Sequence, residues 1–77
     1  MKEVKVLGSG CAKCNKLYAM VEASAKELAL EIDLQKVEDI NEIVEHGVML
    51  TPALMVDGEV KLSGTLPNPE QLKTFLQ

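Results

Sequence analysis

The chain has 77 residues, 47% hydrophobic and 26% charged, which suits one small folded domain over 1–77 and leaves no material for a second. No apolar run approaches the about 20 residues that a membrane-spanning helix needs, and the residues after Met1 lack the apolar core of a signal peptide, so a cytoplasmic protein away from membranes is expected. Twelve acidic against eight basic residues give a net charge of −4, with no Arg, no Trp, one Tyr and one Phe; phosphate backbones demand clustered cations and bases demand aromatic platforms, so nucleic acid is excluded as an expected partner.

Glu3 to Leu7 alternates apolar and charged residues, a short strand, and Gly8-Ser9-Gly10 ends it with a turn. From Cys11 to about Leu28, Cys14, Leu17, Val21, Ala25 and Leu28 recur at spacings of three and four and trace one face of a helix. Ile32, Leu34 and Val37 mark a second strand. Asp39-Ile40-Asn41-Glu42 has the form of a capping box. Ile40, Ile43 and Val44 give the helix behind it an apolar face, and Gly47 suits a left-handed stop. Val48, Met49 and Leu50 read as ordinary core packing, with a partner surface as the other reading. Ala53 to Val56 and Glu59 to Leu62 form a hairpin around Asp57-Gly58, the pair that fits a tight twisted turn. Asn68-Pro69-Glu70-Gln71 opens a last helix, capped by Asn68, with Leu72, Phe75 and Leu76 facing inward. The order β-α-β-α-β-β-α predicts an α/β fold in which a mixed sheet is covered by helices on both faces.

The cysteines are two, Cys11 and Cys14. A bridge between them closes too small a ring to constrain the unfolded chain much, so the pair is read for its chemistry. Cys11 falls at a helix start, where free backbone N–H groups and the helix dipole favour a thiolate and lower a thiol pKa from about 8.5 into a range of roughly 3.5–7.5. Lys13 adds positive charge. Cys14 opens the apolar stripe, so it is expected to be the less exposed and less ionised thiol. Three residues apart on a helical turn, the two sulfurs come within reach of a disulfide. Redox use is one reading. Soft-metal binding, of Zn or Cu, uses the same spacing, but zinc needs two more ligands and the single His, His46, stands at a helix end before Gly47. Gly8-Ser9-Gly10 matches neither a phosphate loop nor a dinucleotide fingerprint, and no cofactor is expected. Pro52 cannot donate to a sheet ladder, which places it at the first position of its strand.

Gly8-Ser9-Gly10-Cys11-Ala12-Lys13-Cys14, Thr51-Pro52-Ala53-Leu54, the Asp57-Gly58 hairpin and Lys61-Leu62-Ser63-Gly64 together resemble the thioredoxin superfamily, and within it the small, single-domain, glutaredoxin-sized redox-active disulfide proteins. The resemblance runs over essentially the whole chain. It implies a thioredoxin-like fold, a four-stranded mixed sheet flanked by three helices, without the first strand and helix of full-length thioredoxin. It also implies a cis Thr51–Pro52 bond beside the cysteines, whose edge receives an extended substrate segment. For activity it implies a thiol–disulfide oxidoreductase in which Cys11 is the nucleophile, Cys14 resolves, and Lys13 stabilises the thiolate. Ser9, Gly10, Thr51, Pro52 and Gly64 would position the substrate. The expected partners are a disulfide-containing protein and a dithiol reductant, with the protein itself a monomer. The motif departs from that of thioredoxin, which has Trp before the first cysteine and Gly-Pro between the two; here Gly10, Ala12 and Lys13 stand in those places.

Overall fold

Val4 and Val6 point to one side of the first strand and Leu7 to the other, and all three are fully buried. Apolar residues on both faces require cover on both faces. The computed structural model describes residues 2–8 and 12–77. Its elements are β1 (Lys2–Leu7), α1 (Ala12–Glu27), β2 (Ile32–Val37), α2 (Ile40–Glu45), β3 (Ala53–Val56), β4 (Glu59–Ser63) and α3 (Pro69–Leu76). The strands form one sheet in the order β2-β1-β3-β4. β1 runs parallel to β2 with Val4 opposite Leu34, and antiparallel to β3 with Val6 opposite Leu54. β4 pairs antiparallel with β3, with a register shift between Leu54 and Met55. This is the thioredoxin-like arrangement of a four-stranded mixed sheet and three helices.

One core joins Val4, Val6, Leu54 and Val56 of the sheet to Leu17 and Val21 of α1 and Leu72 and Leu76 of α3. The other face gathers Leu7, Val37, Ala53 and Met55 of the sheet with Ile43 and Val48. Each fully buried aliphatic side chain contributes about 1.5–3 kcal/mol, so the first core, with both longer helices, carries most of the stability. α2 covers the second face with a single buried residue, Ile43.

The chain ends its elements by local means. α3 has the full reciprocal cap: Gln71 N–H donates to Asn68 Oδ1 at 2.8 Å, and Asn68 N–H to Gln71 Oε1 at 3.3 Å. α2 has half of one. Asn41 N–H donates to Asp39 Oδ1 at 2.8 Å, but among the described residues Glu42 returns no bond, so the expected box is a single cap. α2 ends at Gly47, φ +79°, where Gly47 N–H donates to Val44 C=O and Val48 N–H to Ile43 C=O, the paired closure that a left-handed residue permits. α1 ends the same way on Ala29, φ 54°, with Leu30 N–H donating to Ala25 C=O at 2.9 Å. In the hairpin Asp57 and Gly58 both have positive φ, 50° and 85°, as a two-residue turn matched to strand twist requires.

Candidate functional site

The candidate site lies where β1 ends and α1 begins. Gly8 follows β1 and extends its ladder to β2 by donating its N–H to Val37 C=O at 2.9 Å. In the first turn of α1, after Ala12 and Lys13, stands Cys14, whose side chain is fully buried. The stripe Cys14, Leu17, Val21 and Ala25 turns inward together, so the cysteine is held by the same packing that docks α1 on the sheet. Its sulfur occupies the space that a side chain on Gly8 would fill. A Cβ built there overlaps Cys14 Sγ and stands 2.9 Å from Cys14 Cβ and 3.8 Å from Thr51 Cβ.

Thr51 belongs to the segment entering β3. The Thr51–Pro52 bond is cis, Pro52 is fully buried, and Pro52 sits one residue ahead of β3, where the missing N–H costs no ladder bond. Because β3 lies next to β1 in the sheet, the chain brings Thr51 and Pro52 from forty residues away to the same edge as Gly8 and Cys14. Gly64, just past β4, closes the far side. Its N–H donates to Pro52 C=O at 2.9 Å, and Ser63 Oγ donates to Leu50 C=O at 2.8 Å. At φ +86°, a Cβ on Gly64 would lie 3.2 Å from Leu50 Cβ, so both the backbone conformation and the neighbour favour glycine.

Residues 2–77 match the profile of the Thioredoxin domain family. The chain belongs to that family. A thioredoxin of Methanothermobacter thermautotrophicus is 33% identical over 76 residues, which is 99% of this chain and 99% of that protein. A thioredoxin of Methanocaldococcus jannaschii is 35% identical over 77 residues, 100% of this chain and 88% of its own length. A probable thioredoxin of the first organism is 31% identical over 65 residues, 80% and 75% of the two chains.

Of the site residues expected from the sequence of this thioredoxin-family chain, Cys14, Thr51 and Pro52 come together around Gly8, and Gly64 joins them through Pro52. Lys13 stands exposed in the first turn of α1, a turn without any acidic residue. Ser9, Gly10 and Cys11 lie outside the described residues. His46 is the C-cap of α2. Among the described residues no group of three or more His, Cys, Asp and Glu side chains is placed to share a metal ion, and no helix is long and apolar enough to cross a membrane.

Two expectations are corrected. Val48 is core, but Met49 is 92% and Leu50 63% exposed, so the segment reaches the core at one residue only. Ile40 and Val44 are likewise exposed, 66% and 64%. α2 meets the core through Ile43 alone, and the rest of its apolar face is left uncovered. Gly8 is the site residue that sequence reasoning passed over. Its signal was present only as an extra glycine at the end of a strand, without any mark that a cysteine six residues later would need its space.

Proposed function

We propose that the protein is a thiol–disulfide oxidoreductase that exchanges two electrons with disulfides of partner proteins through Cys11 and Cys14. The observation that carries the reading is the placement of Cys14: fully buried at the start of α1, against Gly8, beside Thr51 and the cis Pro52. A buried thiol next to a helix start, three residues after a second thiol, suits a resolving role. Cys11, the residue before α1, is the attacking thiol, favoured as thiolate by the helix N-terminus and by Lys13.

Cys11 thiolate attacks one sulfur of a substrate disulfide, and the other sulfur leaves as a thiolate that takes up a proton. Cys14, as thiolate, then attacks Cys11 Sγ. That step forms the Cys11–Cys14 bond and releases the second substrate sulfur, so the substrate is reduced by the two electrons the dithiol loses. A dithiol reductant in the cytoplasm reverses the bridge. Ser9, Gly10, Thr51, Pro52 and Gly64 position the substrate chain in this reading, and a single copy of the chain suffices for every step. Membership of the Thioredoxin domain family and relatives named thioredoxin at nearly full length support this reading over a soft-metal module.

Reduction of insulin disulfides with dithiothreitol as donor tests it. Cys11→Ser is expected to abolish protein-dependent turnover, while Cys14→Ser is expected to accumulate a mixed disulfide between Cys11 and the substrate. Wild-type turnover by Cys11→Ser overturns the assignment.

A further inference from the structure

Of the twelve acidic residues, four fall within the eight positions 38–45, and none of the eight basic residues does. The remaining sequence is therefore balanced, eight against eight, and the whole net charge of −4 belongs to residues 38–45, that is α2, its cap Asp39 and the preceding Glu38. Glu38, Glu42 and Glu45 are exposed, and among the described residues they make no ion pair; the ion pairs there are Lys5–Glu3, Lys61–Glu59 and Lys73–Glu27. No lysine lies between Lys36 and Lys61 in the chain.

The same stretch carries the most exposed large hydrophobic side chains of the described residues: Met49, Ile40, Val44 and Leu50. A groove of about 270 Å³ runs among Ile40, Ile43, Val44, Val48, Met49 and Thr51. It is smaller than the roughly 300–1,000 Å³ of small-molecule pockets, and suits one inserted side chain better than a whole ligand. Thr51 lines it, and Thr51 and Cys14 both lie against Gly8, so it opens near Cys14.

We propose that α2 and the loop after it form a docking surface for the protein that exchanges electrons with Cys11 and Cys14, and that this partner presents an apolar side chain flanked by Lys or Arg. The choice of partner follows from charge. An apolar groove alone would accept any apolar segment, but α2, which lines this one, also carries Glu42 and Glu45 and follows Glu38, and this uncompensated negative charge repels acidic segments and attracts basic ones. The proposal rests on the redox reading above, and it adds a partner chemistry to it.

The test uses full-length protein, reduced beforehand and freed of reductant, in single-turnover reactions with two symmetric disulfide-linked peptides. Both carry leucine beside the cysteine; one is flanked by lysines, the other by glutamates. Neutral hydroxyethyl disulfide is the third substrate. The lysine peptide is expected to react roughly tenfold faster than the glutamate peptide at low salt, with the difference shrinking at high salt. Combined Glu38→Gln, Glu42→Gln and Glu45→Gln removes most of that preference. Combined Glu22→Gln, Glu31→Gln and Glu70→Gln, which removes as many charges elsewhere, keeps it. Val44→Ser slows both leucine peptides and leaves hydroxyethyl disulfide unchanged. Equal rates for the two peptides in the wild type, or equal loss of preference in both triple variants, overturns the docking surface. Failure of the wild type to reduce hydroxyethyl disulfide instead overturns the redox reading beneath it.

Discussion

Replacing Gly8 by alanine adds one methyl group where the structure has no room for it. Gly8 lies outside the left-handed region, so alanine meets no backbone penalty there, and the stiffer unfolded chain alone would stabilise by about 0.4–1 kcal/mol. Against that, the new Cβ overlaps Cys14 Sγ and stands 2.9 Å from Cys14 Cβ. Neither neighbour yields easily, because Gly8 N–H is held by Val37 C=O and Cys14 is locked in the face of α1 that packs on the sheet. Overpacking of this kind costs about 1–3 kcal/mol, which leaves a net loss of about 1–2 kcal/mol. For a domain of this size the loss is a fall in Tm of roughly 4–16 °C. Thermal unfolding under reducing conditions measures it, and a double-mutant cycle identifies its cause. In a Cys14→Ala background the overlapping sulfur is gone, so Gly8→Ala is expected to cost less by about 1 kcal/mol. Gly47→Ala, which meets nothing within 4 Å but sits at φ +79°, should cost the same in both backgrounds. An unchanged cost of Gly8→Ala in the two backgrounds would refute the argument that Gly8 exists to admit the sulfur.

Two further outcomes follow from local features. Asn68→Ala removes the acceptor of Gln71 N–H and should destabilise the protein by about 1 kcal/mol, read by urea unfolding; Asn68→Asp, which keeps an acceptor, should recover most of it. Lys61 Nζ donates to Glu59 Oε2 at 2.8 Å, and this bond, helped by the ammonium charge, holds the Glu59 carboxyl below its ordinary value. A depressed carboxyl stabilises the fold at neutral pH, and that contribution fades as pH falls from the ordinary carboxylate range through the lowered value. Lys61→Met should return the Glu59 titration, followed by NMR, towards the ordinary range, and an unmoved titration contradicts the cause assigned.

Much of the fold was written in local pattern. The three-and-four spacing from Cys14 to Ala25 marks α1 because a helix on a sheet must bury one continuous stripe. Asp57-Gly58 and Asn68-Pro69-Glu70-Gln71 mark the hairpin and α3 because their backbone needs are chemical and short-range. The end of α1 was less legible: Ala29 takes the left-handed position that glycine usually marks, so only the fading of the stripe signalled it. Ile40, Val44, Met49 and Leu50 misled for a related reason. Apolar periodicity says that a face wants cover, and it does not say whether this chain supplies it. The site was legible as residue types but not as a contact. Cys14 and Thr51 come together at Gly8 because β3 pairs with β1, a long-range choice that no local pattern states, and the vacancy at Gly8 that receives the sulfur becomes visible only once α1 is docked.

The central claim is that Cys11 and Cys14 form one reversible two-electron couple, and the most direct measurement is their thiol–disulfide equilibrium. Full-length protein is equilibrated across glutathione and dithiothreitol buffers, quenched by alkylation, and its modified thiols are counted by mass spectrometry. The account predicts that both thiols disappear in a single concerted transition, within one chain, and return together when the buffer is made more reducing. A protein in which Cys11 ends as a glutathione adduct or an intermolecular disulfide while Cys14 remains a thiol would contradict it.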